Sequence, residues 1–248
     1  MSDTPENFDK YPGGVIINGN PLERKRSVNE LIAFFKSRQK VNLFLVIVNV
    51  AVFVVMSFLG DTEDAYFIVS HGGCYSPAVV VGKEYYRLFT SMFLHFGLEH
   101  MFYNMLMLLF LGDTLEKTAG KLRYLLIYLI GGLGGNIASV IYEWKREEYW
   151  VSAGASGAVF AVIGALACVV ILNKGRLQDY SGPRLLMMAV LSILQGFTSS
   201  GTNYVAHVGG FAVGFLMALL FWRKLRQPEN WNRESPENVK RDEFSGMQ

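Results

Sequence analysis

The sequence predicts an all-α, polytopic membrane protein of six transmembrane helices with both termini in the cytoplasm, and three observations carry that prediction. Hydrophobic residues make up 51% of the 248-residue chain and charged residues only 18%, against roughly 25% charge in an ordinary soluble domain. Six stretches reach or approach the roughly 20 apolar residues that a spanning helix needs: 41–59, 93–111, 122–142, 152–172, 185–199 and 204–222. The basic residues alternate between successive connecting segments, as they do when Lys and Arg gather on the cytoplasmic side.

The elements follow in order. Arg24, Lys25, Arg26, Lys36, Arg38 and Lys40 precede the first stretch and place it behind a cytoplasmic lead, a pattern unlike a cleaved signal peptide. Within that lead, "VNELIAFFKSRQK" has the composition of a short amphipathic helix on the cytoplasmic surface. Segment 60–87 holds only Lys83 and Arg87 against Asp61, Glu63, Asp64 and Glu84, so it is an outer loop. Its "HGGCYSPAVVVGKEYYR" is aromatic and apolar enough to lie partly in the interface. Lys117, Lys121 and Arg123 mark the next segment as inner, whereas 143–151 balances Lys145 and Arg146 with three Glu and reads as outer.

Lys174, Arg176 and Arg184 lie inside, 200–203 carries no charge and lies outside, and Arg223, Lys224 and Arg226 end inside. Termini on the same side require an even number of spans, and six fits, the fifth being the shortest. The organisation is therefore a cytoplasmic segment 1–40, a membrane domain 41–222 and a polar cytoplasmic tail 223–248. A net charge of +2 is too small to suggest a nucleic-acid partner. Two cysteines, Cys74 in the outer loop and Cys168 in the fourth span, are too few and too far apart for a disulfide framework.

With this topology, spans two, four and six all begin outside. The polar residues that interrupt them sit near those starts: His95, His100 and Asn104, then Ser156, then His207. Polar side chains in a bilayer are costly and mark function, and these five share a depth at which they can converge. Ser156 lies in "AGASGAVFAVIGALA", where Ala153, Gly157, Ala161 and Ala165 form a small-residue ridge. Serine belongs to such packing ridges as well, so from this stretch a packing role and a nucleophile are both open.

The sixth span has a matching ridge at Ala206, Gly210, Gly214 and Ala218, with His207 beside its outer end. Two small-residue ridges bring backbones close, and a serine becomes a nucleophile when a base stands within about 3 Å. His100 and Asn104 are four apart and share a helical face, where an amide N–H can be aimed at a developing oxyanion. The Ser156 N–H, in the first turn of its helix, lacks an intrahelical partner and could join it.

These residues resemble the rhomboid intramembrane serine proteases over about 60–222. "GASGAVF" is similar to the family's serine motif, "AHVGGFAVG" to its histidine motif, "HFGLEHMFYN" to its pattern of two histidines followed by asparagine, and "LGDTLE" to the element ending that span. The resemblance implies Ser156 as nucleophile and His207 as general base in a dyad without a carboxylate. It implies Gly154, His100, Asn104 and the Ser156 amide around the oxyanion, His95 as a nearby residue retaining water, and no cofactor or metal. Implied partners are transmembrane protein substrates, cut near the outer end of their helices, and membrane lipids. The short tails fit a bacterial plasma membrane.

Two departures stand out. The family's Trp-Arg pair in the first loop is here Tyr86 and Arg87, and the aromatic expected to stack on the catalytic histidine is Phe160 rather than Tyr. The polar "TSSGTN" at 198–203 reads as a lid over the site. Rival readings are a zinc site on His95, His100 and His207, which lacks a HExxH pattern; an aspartic protease, for which only Asp113 comes near; a channel, against which the inner halves of spans four and six are apolar; and a catalytically silent rhomboid-like binding or chaperone module. His71 and Glu99 are expected to be interfacial and replaceable.

Overall fold

The computed structural model describes residues 38–173, 176–177, 180–181 and 203–221. The fifth apolar stretch, residues 28–37 of the 28–40 amphipathic segment, most of the 198–203 lid and the tail lie outside the described residues. The other five apolar stretches coincide with helices. Among the described residues three helices are long and apolar enough to cross a membrane, or four if a bent pair counts as one span. The number of spans and the side on which the termini lie therefore rest on sequence.

Helix α1 (Lys40–Leu59) is rich in Val and Phe, poor helix formers in water. In hydrocarbon every backbone polar group must be satisfied within the segment, so an apolar run of this length has little choice but to be helical. Its start is capped from elsewhere in the chain. The Gln39 side chain does not cap it; instead Glu116, only 2% exposed, accepts from the amides of Val41 at 3.2 Å and Asn42 at 2.7 Å. Asp113 Oδ1 accepts from the Gln39 amide at 2.6 Å. Carboxylates at a helix N-terminus satisfy orphan donors and oppose the positive end of the dipole.

After α1 the segment up to α5 (Gly97–Met107) is a compact structure. It contains α2 (Ala65–Ser70), β1 (Cys74–Tyr75), α3 (Ser76–Val80) and α4 (Arg87–Thr90), the last followed by a 3₁₀ turn over Ser91–Phe93. Arg87 is its centre: buried, it donates to the carbonyls of Val69 and Gly73 and to Glu84. Its guanidinium, aided by the Tyr86 hydroxyl, holds the Glu84 carboxyl below the usual range. Tyr86 itself is exposed, so Arg87 ties the loop together while the aromatic beside it adds one hydroxyl. Burial pushes the Cys74 thiol up to about 12, with Glu143 adding to the effect, which leaves it a packing residue.

The chain then bends by 90° into α5 (Gly97–Met107). A single π turn, Leu108–Gly112, leads on to α6 (Asp113–Ala119). The wide turn leaves the Leu108 carbonyl accessible, and Asn42 Nδ2 donates to it at 2.8 Å. Tyr124 donates to Asn42 Oδ1 at 2.6 Å. A Cβ on Gly112 would lie 2.2 Å from that same oxygen. The "LGDTLE" element is thus the dock for α1. Glu116→Ala strands the buried Asn42 amide and the half-buried Val41 amide, and at about 1–3 kcal/mol for leaving a buried polar group unpaired it is expected to lower the apparent Tm in detergent; an unchanged Tm would contradict this assignment.

Three helices make the centre: α7 (Lys121–Arg146), α8 (Ser156–Leu172) and α9 (Tyr204–Phe221). In α8, 13 of 17 residues are buried, from Gly157 to Val170, so it is the helix the others surround. The two small-residue ridges meet: a Cβ on Gly210 would lie 2.1 Å from the Gly157 carbonyl oxygen, and one on Gly214 2.0 Å from that of Ala161. The glycines of α7 join the same seam: Gly131 and Gly132 sit against Ala161 and Ala158 of α8, and Gly135 sits against Ala206 of α9. A strand pair, β1 with β2 (Val151–Ser152), couples the segment between α1 and α5 to the segment before Ser156, in register Cys74 to Ser152 and Tyr75 to Val151. Beyond α8, β3 (Arg176–Leu177) and β4 (Tyr180–Ser181) form a small hairpin.

One expectation needs correction. Glu143 was counted among outer-loop charges, but α7 continues to Arg146 and buries Glu143, where it accepts from Ser76 at 2.6 Å and Ser139 at 2.7 Å. Helix length was underestimated because Trp144, Lys145 and Arg146 end the apolar run without ending the helix.

Candidate active site

Ser156 is the first residue of α8 and is half-buried, while the residues after it are buried. The turn that delivers it requires Gly154, whose φ of +131° is open to glycine and strained for other residues. The Gly154 amide donates to the Ser91 carbonyl at 2.9 Å, and the Ala155 amide donates to His95 Nε2 at 3.3 Å. His95, buried, therefore holds the turn before the serine directly. Ser91 is held in turn by Asn136 of α7, whose Nδ2 donates to Ser91 Oγ at 3.0 Å and to the Leu88 carbonyl at 2.8 Å.

The His100 ring closes over Gly154: a Cβ there would stand 2.7 Å from its Cε1 and 2.9 Å from its Nε2. The His95 and His100 rings meet edge to face at 5.4 Å. Asn104, one turn further along α5, donates through Nδ2 to the His100 carbonyl at 2.9 Å. That nitrogen carries a second N–H.

His207, 5% exposed, lies in the first turns of α9. Its ring stacks on Phe160 with centroids 4.3 Å apart and planes inclined by 11°. Phe160 is four residues after Ser156 and so stands on the same face of α8, one turn deeper. The stack and the Gly210–Gly157 contact together place His207 on the serine's side of α8. Substituting Phe for Tyr keeps this stacking. Among the described residues the buried His207 Nδ1 has no hydrogen-bond partner, and no carboxylate takes the position it holds in a triad. The Ser156 hydroxyl is not hydrogen-bonded to His207 here; such bonds in unliganded proteins often tighten only with substrate.

The structure thus groups Ser156 and Gly154 with His95 and His100, and His207 with Phe160 and Gly210. Asn104 is carried alongside through His100. Among the described residues no three His, Cys, Asp or Glu side chains gather into a group able to hold a metal ion. His71 and Glu99 are exposed. Sequence reasoning missed Ser91, Asn136 and Asn203. Asn136, a lone amide within "LGGNIASV" of an apolar span, carried the signal that should have found it.

Comparison with known proteins matches the Rhomboid domain to residues 82–224. Over 79% of its length the chain is 28% identical to rhomboid protease GluP of Bacillus subtilis, across 38% of that protein. Over 60% of its length it is 35% identical to RHOMBOID-like protein 4 of Arabidopsis thaliana, across 37% of that protein. It is 28% identical to rhomboid protease AarA of Providencia stuartii, covering 72% of this chain and 71% of the relative. The chain therefore spans less than two-fifths of the first two relatives. The matched domain covers the second apolar stretch, both small-residue ridges, Ser156 and His207, and with its apolar helices the chain is an integral membrane protein of the rhomboid family.

Proposed function

We propose that this chain is an intramembrane serine endopeptidase that cuts transmembrane segments of membrane proteins through a Ser156–His207 dyad. The observation that carries the proposal is the stacking of His207 on Phe160, one turn below Ser156 on the same helix face. A histidine placed merely to link helices would be expected to hydrogen-bond its neighbour rather than stack on it.

Neutral His207 takes the Ser156 proton as Oγ attacks a substrate backbone carbonyl. The tetrahedral oxyanion is received by the Ser156 amide, His100 and Asn104, with Gly154 leaving room for it. Collapse expels the amine, which takes the proton from His207, and water activated by the same histidine then hydrolyses the acyl ester. His95 fixes the Ala155 amide and thereby the turn that presents the nucleophile. Six spans with cytoplasmic termini, the division into 1–40, 41–222 and 223–248, a lipid-embedded setting in a bacterial plasma membrane and a lid at 198–203 belong to the same reading.

The test is cleavage of a reporter with one transmembrane helix, co-reconstituted in liposomes. Wild type is expected to release a fragment and Ser156→Ala to release none. Equal release by both would sink the dyad; intact reporter captured by both would favour a binding module.

A further inference from the structure

His207 lies in the first turns of α9, so whatever fixes the start of that helix fixes the histidine. The residue before α9 is Asn203. Its Oδ1 accepts from the Ala206 amide at 3.0 Å, an N-cap, and its carbonyl accepts from the His207 amide at 3.3 Å. Its Nδ2 donates to two hydroxyls, Ser139 Oγ on α7 and Ser152 Oγ on β2, the second at 2.8 Å. Ser139 gives its own proton to Glu143 at 2.7 Å. Glu143 also accepts from Ser76 of α3 and from the Trp150 amide. Beside this line, Tyr204 donates to the Tyr142 hydroxyl at 2.8 Å.

The proton inventory demands an amide at this cap. Ser139 has one hydroxyl proton, committed to Glu143, and therefore turns a lone pair toward residue 203. Asp is as good an N-cap as Asn in general, yet here it would face that lone pair with another. The cap would survive and the tie to α7 would not.

We propose that Asn203 is a positioning residue for His207, acting through the directed line Asn203 to Ser139 to Glu143 that locks the start of α9 to the outer end of α7. The inference rests on the reading that Ser156 and His207 carry the chemistry. It differs from a generic stabilising role because it depends on proton direction. Replacing Glu143 with Gln supplies an N–H to Ser139, which frees the Ser139 proton to turn toward an aspartate at 203.

The experiment compares wild type, Asn203→Asp and the double variant Asn203→Asp/Glu143→Gln in liposomes, by reporter cleavage and by the rate of fluorophosphonate labelling. Asn203→Asp is expected to lose about 10²-fold in kcat, the cost of roughly an ångström of misplacement, with KM within about twofold. The double variant is expected to recover most of the loss. Asn203→Asp indistinguishable from wild type overturns the proposal, and so does a double variant no better than the single one. Should Asn203→Asp fail to fold, the double variant must fold and label; one equally unfolded overturns it. Wild type that neither labels nor cleaves overturns the dyad itself, a different outcome from labelled wild type with an indifferent Asn203→Asp.

Discussion

Gly210→Ala is expected to destabilise the protein by about 1–3 kcal/mol, the usual cost of overpacking, and to lower activity by about 10²-fold through misplacement of the site. The added Cβ would stand 2.1 Å from the Gly157 carbonyl oxygen, an atom of α8 backbone that cannot rotate away. Only separation of α8 from α9 relieves the clash, and that motion carries His207 off the serine's helix. The contact is asymmetric, which makes the prediction sharper. A Cβ on the facing Gly157 meets nothing nearer than the Ala206 carbonyl oxygen at 3.7 Å, an ordinary contact. Gly157→Ala is accordingly expected to unfold at the wild-type temperature while Gly210→Ala melts lower. Equal melting temperatures for the two would mean that the ridges do not meet as described. In lipid, where apolar burial does not drive helices together, such close backbone contact is what holds them.

The largest expected effect belongs to His207→Ala, a fall in kcat of about 10³-fold or more. Removing the base leaves only what oxyanion donors and substrate binding supply. Phe160→Leu, which keeps apolar bulk under the imidazole but removes the stacking partner, is expected to cost about tenfold, most of it in kcat, since aromatic stacking contributes about 0.5–1.5 kcal/mol. Reporter cleavage in liposomes gives both numbers. His207→Ala within tenfold of wild type would remove the histidine from the chemistry.

Much of this arrangement is legible in the sequence because a bilayer leaves few options. An apolar run long enough to span must be helical, so the positions of α1, α7 and α9 followed from hydropathy, and the glycine and alanine spacing named the faces on which α8 and α9 meet. The resemblance to rhomboid proteases implied the stacking of Phe160 on His207, and the two rings do stack. What was not legible is connected through polar contacts between segments distant in the chain. Glu116 caps a helix that starts 76 residues earlier, by the difference between Glu116 and Lys40, and no local pattern encodes that pairing. The outer loop looked like an interfacial segment because its apolar residues were visible and the role of Arg87 as acceptor-gathering centre was not. Glu143 and Asn203 were read as loop residues, since a charge or amide at the end of an apolar run does not reveal whether it faces water or a neighbouring helix. His95 was expected as a nearby residue that retains water; its hold on the turn that presents Ser156 was not foreseen.

The central claim is that Ser156 is a nucleophile activated by His207 within the membrane domain. Its most direct test is mass measurement of the peptide carrying Ser156 after reaction of the liposome-reconstituted protein with a fluorophosphonate. The account predicts one phosphonate adduct on Ser156, lost in His207→Ala and retained in His71→Ala. Wild type without an adduct, or an adduct formed equally well without His207, would contradict it.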